Sequence, residues 1–491
     1  MTIYRRLSYF IFCAFVLYGC FYIFYGETLP ASVNEGFGWD GKLYGETARN
    51  FQEIMVQRKI NRFHFQRILP SGVIYYALKF SSSSFTSQNI IDAFDIYNFI
   101  LVLISLVLCF KISKKLELPD THLLLGLISL VFSFPLIKLN FYYPVLTDAT
   151  AFFIGMLALW AYVNKNKSLL IICSLFGSFT WPIILFAIPF LMIFTEDPPL
   201  EIKENKEKFI PAFSFSLLFT VIAIGIQIKY LHLFFNLSLL LITGILSFGV
   251  LVFILIGEFL RIDIPVFLQT FFSKTIRKIN WKWLTINILL IAMVKITACF
   301  YEPPLMIGFK GYIIRIFSFA TKYPFYPVIS HLIYYGPVFF IILYFWKFTV
   351  RIIVRSGFGL TCFFLINLVQ VFDPESRHII FFLPFLIFYT LLALKEFKIT
   401  NTFLISFFII AILASKVWLK INTPDFIANI GYTIYYDAVR WDPQAIQTLY
   451  MNLGTFMTLN SYLIQSLVIL LCAGILYLVH YKNKVESNTS I

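Results

Sequence analysis

Charge is what this chain most lacks. Asp, Glu, Lys and Arg make up 13% of its 491 residues, while 59% are apolar. No water-soluble domain keeps that balance, and the mean hydropathy is +0.82. Paired cysteines are missing too. Cys13, Cys20, Cys109, Cys173, Cys299, Cys362 and Cys472 all fall in apolar runs, with no C-x-x-C spacing. That excludes a disulfide framework or a zinc ribbon and reads them as small buried hydrophobes. There is no tandem repeat, no low-complexity tract beyond Ser81 to Ser84, and no hydrophilic stretch long enough for a soluble domain. The net charge of +14 comes without a basic run long enough to follow a nucleic-acid groove, so nucleic acid is not expected as a partner.

What is present in quantity is apolar sequence, with 59 Phe alone. Runs of this kind recur from end to end and imply an all-α polytopic membrane protein, a single integral membrane domain over 1–491. The first run begins like a signal peptide but continues through Phe24, so it reads as an uncleaved span. Hydropathy places spans at 7–25, 88–110, 120–139, 145–163, 168–179, 181–194, 209–229, 236–258, 284–300, 331–350, 357–372, 378–394, 402–420 and 461–480. About 12–14 transmembrane helices are therefore expected. The segments 168–179 and 181–194 are too short to cross a bilayer of ~30 Å alone. They read as a helical pair meeting at Thr180-Trp181-Pro182, because proline breaks a helix.

With the N-terminus placed inside, the alternate connections carry 22 of the 39 Lys and Arg, as the positive-inside rule requires. Both termini are then expected in the cytoplasm. The other face receives three long segments: 26–87, 301–330 and 421–460. Short turns at 140–146, 179–182, 230–235 and 373–377 join them there. Function is expected in these outer segments or in the membrane interior.

The first outer segment contains Gly36-Phe-Gly38-Trp-Asp40-Gly41, a G-x-G-x-x-G string. A dinucleotide fingerprint needs a buried strand before it and a βαβ unit around it. Here a membrane span precedes, so the nucleotide reading is discarded. From Gly41 onward Tyr44, Ala48, Phe51 and Met55 form one apolar stripe, with Lys42, Glu46, Arg49 and Glu53 opposite. This predicts an amphipathic helix lying on the membrane face, with Asp40 just before it as either an N-cap or an exposed acid. A second helix is expected from about Arg67, with Pro70 in its first turn. His64 and Arg67 stand at its start, Arg67 serving either as a headgroup contact or as a site residue.

Trp39-Asp40-Gly41-Lys42-Leu43-Tyr44 (W-D-G-x-x-Y), followed by Phe65-Gln66-Arg67-Ile68-Leu69-Pro70, resembles bacterial multipass glycosyltransferases of the GT-C superfamily. The likeness covers the chain to about residue 195 and rests on short motifs. It implies a GT-C-like fold with interfacial helices in the first outer loop, a place in a bacterial inner membrane and an active site outside the cytoplasm. It also implies a polyprenyl-phosphate-linked sugar as donor, with membrane lipids around it and a glycan, lipid or protein as acceptor. Members carry a catalytic carboxylate in the first outer loop, which falls on Asp40 here. Many have an acidic pair at that place, whereas here glycine follows Asp40 and the next acid is Glu46.

Sugar transfer from a lipid phosphate needs one base for the acceptor hydroxyl and positive charge for the departing phosphate. A second carboxylate is not required, because phosphate leaves unprotonated. Asp148, at the outer end of a span, is a second catalytic candidate, the alternative being that Thr147 and Asp148 cap the following helix. The run Asp373-Pro-Glu375-Ser-Arg377-His378 offers Arg377 and His378 for the donor phosphate, against a self-neutralising turn. Arg67, Lys310 and Arg315 join the phosphate-binding set, and Trp39, Tyr44, Glu46 and Trp181 the acceptor-binding set. Asp437, Arg440 and Asp442, with Tyr436 and Trp441, are further candidates for acceptor sugar. Carboxylates beside a histidine also suit a divalent ion, but the first outer loop has no D-x-D, so no metal or other cofactor is assigned. A lipid-linked polysaccharide polymerase or flippase-like transporter is the alternative reading, and a non-catalytic scaffold the third. The glycosyltransferase reading requires Asp40, Asp148 and Arg377 to face one cavity.

Overall fold

A computed structural model describes residues 1–194, 209–234, 239–260, 279–302, 309–428 and 446–489. The protein is an all-α polytopic membrane protein, 79% helical. Among the described residues six helices are long and apolar enough to cross a bilayer. They are Ile3–Tyr25, Ser87–Lys115, Ile210–Lys229, Leu239–Leu260, Trp281–Cys299 and Leu459–Val479. Asp120–Val131 and Pro135–Tyr142, bent by 52° at the break between them, reach that length only as a pair, which makes them a broken span or a re-entrant loop. Pro135 lacks the N–H that would continue the ladder, and Pro135–Leu139 is wound as a π turn. The remaining expected spans are shorter apolar helices, such as Asp148–Val163, Lys167–Ser178, Ile184–Ile193, Phe358–Val371 and Leu383–Leu394.

Two expectations on segmentation are corrected. The span expected at 331–350 is cut into Tyr326–Tyr335, Val338–Tyr344 and Trp346–Arg355. Gly336, with φ 75°, and Pro337 make the first cut, since glycine alone accepts that backbone without strain. The amphipathic stretch from Gly41 is also two helices, Trp39–Arg49 and Phe51–Gln57. Its stripe does not lie on the membrane. Tyr44 and Ala48 are buried with Ile74, Ile90, Phe94 and Val145, so protein covers them.

Three of the short helices form the centre. Most residues of Asp148–Val163, Ile184–Ile193 and Leu383–Leu394 are buried. By contrast, 17% of the Leu459–Val479 window is buried, and its exposed Leu and Ile present an apolar surface to lipid. Small residues let the central helices close up. A Cβ on Gly155 would stand 2.2 Å from the carbonyl oxygen of Phe381. That contact seats the 376–382 turn against the middle of the Asp148–Val163 helix.

Contacts sort the connections to two ends of the bundle. At one end Arg5 pairs with Asp120 at 3.4 Å, and the Tyr4 hydroxyl donates to Asn401 at 2.7 Å. At the other, the Leu29 N–H donates to Tyr142, Leu69 to Phe179 and Arg62 to the Glu302 carbonyl, each at about 3 Å. Residues 26–87, 140–148, 179–182 and 372–382 share this second end.

Candidate active site

The chain enters the second end through a turn built on Gly36 and Gly38, both with positive φ. Gly38 occupies the N-cap position of the Trp39–Arg49 helix and makes no side-chain cap. The helix therefore starts two residues earlier than expected, and Asp40 lies inside its first turn rather than capping it. Gly41 is needed for approach: a Cβ there would be 2.7 Å from the Val145 carbonyl oxygen and 2.9 Å from the Tyr143 ring. The Gly41 N–H donates to the Tyr143 hydroxyl at 2.9 Å. The start of this helix is thus pressed onto the segment that leads into Asp148.

Three residues far apart in sequence meet there. The Arg377 guanidinium donates from Nη1 to Asp40 at 2.7 Å and from Nη2 to Asp148 at 3.0 Å. Arg377 and Asp148 side chains are 14% and 11% exposed, Asp40 46%. Thr147 takes the N-cap position of the Asp148–Val163 helix without a side-chain cap, and the Asp148 carboxylate faces Arg377, so neither acid is used up in capping. Burial works against the charge of Arg377, but Asp148, Asp40 and Glu375 outweigh it and hold the guanidinium protonated.

The same turn carries a second set of contacts. His378 Nδ1 lies 2.7 Å from the fully buried Asp373 carboxylate, and Nε2 lies 3.9 Å from Glu375. Glu375 is gripped by Arg315. Burial alone would raise the Glu375 carboxyl, but His378, Arg315 and Arg377 together hold it well below the usual carboxylate range. Arg315, expected on phosphate, is therefore already engaged by an acid. Lys310 falls in the same Phe309–Ala320 helix, and its side chain lies outside the described residues.

Arg67 is the exception in this charge pattern. It is 7% exposed, and among the described residues no carboxylate pairs with it. Its guanidinium is held between the Phe63 ring at 4.3 Å and the Trp181 ring at 4.4 Å. Nη1 donates weakly to the Tyr44 hydroxyl at 3.4 Å, and Nε has no protein partner. The Trp181 indole N–H donates to the His378 carbonyl at 3.3 Å, fixing the ring between the two arginines; Arg377 lies 5.9 Å from it. His64 stands beside Tyr44, ring centroids 5.9 Å apart. Burial, with Arg67 next, pushes the His64 pKa down to about 4, so the imidazole is neutral at neutral pH.

Of the residues singled out from sequence, Asp40, Asp148, Arg377, His378, Arg67, Tyr44 and Trp181 form one connected cluster. Trp39 packs edge-on against Tyr143 at 6.2 Å, adjoining it. Glu46 is half-buried and no described contact ties it to the cluster. Asp437, Arg440 and Asp442, with Tyr436 and Trp441, lie outside the described residues. Phe63, Tyr143 and Tyr312, whose ring is 6.0 Å from His378, complete the cluster without having been singled out; aromatics are too common in this chain for three to stand out. Among the described residues no three His, Cys, Asp or Glu side chains group as a metal site.

Fold and site thus define a polytopic membrane protein with a polar, partly charged cluster at one end of its bundle. Comparison with family models, with curated proteins and with solved structures finds no match to the chain.

Proposed function

We propose that the protein is an integral-membrane glycosyltransferase of GT-C type. It takes a sugar from a polyprenyl-phosphate-linked donor and passes it to an acceptor hydroxyl on the non-cytoplasmic face, inverting the anomeric carbon. The observation that carries this reading is a buried arginine without a carboxylate, Arg67, beside a half-exposed carboxylate, Asp40, in one cluster. A buried guanidinium lacking a protein counter-ion is suited to an anion from outside the chain, and its planar fork matches phosphate. The excess of Lys and Arg in the opposite set of connections supports a bacterial inner-membrane orientation with both termini cytoplasmic.

In this reaction Asp40 takes the proton from the acceptor hydroxyl. The acceptor oxygen attacks the anomeric carbon from the face opposite the phosphate. The bond from that carbon to the phosphate oxygen breaks, and its electron pair stays on the phosphate. Arg67 receives the growing negative charge, stacked between two rings that exclude water and strengthen the contact. Arg377 orients Asp40 and, through its second nitrogen, ties it to Asp148.

The flippase-like alternative draws on an ion pair at 3.6 Å between Lys138, buried in the bent helix pair, and the partly exposed Glu27. Glu27 follows the end of the first helix directly, so this charge sits at the site end of the bundle. A transport path would need charge deep within the spans.

The test is transfer of labelled sugar from polyprenyl-phosphate donors by membranes containing the protein. Asp40→Asn is expected to lower turnover by roughly 10²–10⁴-fold, and Arg67→Gln to lower kcat/KM by about 10²–10³-fold. Unchanged turnover in Asp40→Asn removes that residue as the base.

A further inference from the structure

Asp148 also lines a small cavity of about 10 Å³, to which Arg377 does not contribute. That is room for one water-sized group and no more. Asn98, Asn140, Asp148 and Tyr334 line it together with apolar side chains. All four are more than nine-tenths buried, at 1%, 8%, 8% and 3% exposure. Each also presents a buried polar atom with no partner among the described residues: Asn98 Oδ1, Asn140 Nδ2, Asp148 Oδ1 and the Tyr334 hydroxyl. The Asn98 amide is fixed in orientation, because its Nδ2 donates to the Pro144 carbonyl at 2.8 Å.

Four orphaned polar atoms around one cavity are costly, because each has given up water without gaining a partner. Their chemistry selects what relieves that cost. Asn98 Oδ1 and Asp148 Oδ1 accept, Asn140 Nδ2 donates, and the Tyr334 hydroxyl donates. An anion would meet the Asp148 carboxylate. An ammonium would leave Asn140 Nδ2 facing a donor. A neutral oxygen that donates twice and accepts twice meets all four.

We infer that this cavity is a binding site for one water molecule, which donates to Asn98 Oδ1 and Asp148 Oδ1 and accepts from Asn140 and Tyr334. The oxygen ties down the half of the Asp148 carboxylate that Arg377 does not hold. Asp148 is then a positioning residue that fixes Arg377, and Asp40 alone keeps a carboxylate oxygen available to take a proton. The binding site stands without the proposed function; only the division of roles between the two acids rests on it.

The site is tested on the full chain in lipid nanodiscs, first without substrate. A density map that shows ordered water is expected to contain one oxygen within hydrogen-bonding reach of Asp148, Asn98, Asn140 and Tyr334. Tyr334→Phe, which removes only the hydroxyl, is expected to lower Tm by about 2 °C through loss of one buried hydrogen bond. An oxygen that appears only when a polyprenyl-phosphate sugar is bound would be a sugar hydroxyl, which donates once, and overturns the resident water. No oxygen in either map, with an unchanged or higher Tm in Tyr334→Phe, overturns the inference. In the transfer assay Asp148→Asn is expected to lower kcat but keep the acid limb of the pH profile, which Asp40→Asn abolishes. Loss of that limb in Asp148→Asn overturns the positioning role while leaving the oxygen site intact.

Discussion

Arg377 offers the sharpest quantitative test, because one guanidinium holds two carboxylates in different surroundings. Its partner Asp148 is 11% exposed at 3.0 Å, and Asp40 is 46% exposed at 2.7 Å. Removing one member of a buried pair strands a charge and costs about 3–5 kcal/mol, whereas an exposed pair is worth about 0–1 kcal/mol. Arg377→Gln should therefore cost about 3–5 kcal/mol, nearly all through Asp148. Asp148→Asn should cost less, about 2 kcal/mol, since Arg377 keeps Asp40. In the double variant two neutral amides face each other and no charge is stranded. Its loss should fall short of the sum by at least about 1.5 kcal/mol, a coupling of the size expected for touching residues. Unfolding of the purified protein in detergent, followed by tryptophan fluorescence, measures all three. Arg377→Lys adds a control, since a point charge cannot bridge two carboxylates as a guanidinium does. Additivity within about 0.5 kcal/mol would mean that Arg377 and Asp148 do not touch, and the shared-arginine site would fall with it.

Further tests address the neighbours. Glu375 has its carboxyl held low by His378, Arg315 and Arg377 against burial, so its stabilisation is present above the usual carboxylate range and lost as pH falls through the lowered value. Glu375→Gln should flatten the acid limb of a stability-against-pH curve. His64, pushed down to about 4 mainly by burial, is neutral when folded and protonates more readily when unfolded. Stability should then fall between roughly pH 6.5 and 4, by about 1–2 kcal/mol after solvent screening, and His64→Gln should remove that slope. Gly41→Ala forces a methyl group against the Val145 carbonyl and the Tyr143 ring. It should cost about 1–3 kcal/mol and reduce sugar transfer more than Lys42→Ala, whose side chain is exposed.

Much of the architecture was legible because hydropathy and proline act locally. The first span, the short pair meeting at Trp181-Pro182 and the helix carrying Pro70 in its first turn follow from neighbouring residues alone. The break at Gly336-Pro337 was written just as plainly but lay inside an unbroken apolar run, which hydropathy reads as one span. The site was legible as a set of residue types, not as a set of pairs. Nothing near Arg377 in sequence points to Asp40, 337 positions away. Arg315 and Arg67 looked equivalent as basic residues on the same face of the membrane. Tertiary contact separates them, since Glu375 occupies the first while two aromatic rings enclose the second. Asp40 looked like a cap because it precedes a helical stripe, but the positive φ of Gly38 moves the helix start upstream.

The π turn at Pro135–Leu139 has a consequence for how this fold tolerates change in length. A π turn spans one residue more than the α-helical turn it replaces. The surplus residue is taken up inside the turn, so losing one residue there would return the backbone to ordinary winding and leave the azimuth downstream nearly unchanged. Losing one from the regular Asp120–Val131 helix would instead rotate everything after it by roughly 100°, turning Asn140 from the chamber beside Asp148 and Tyr143 from the Gly41 amide. A shortened variant of the chain could thus lose its residue in the π turn and keep both supports of the charged cluster in place.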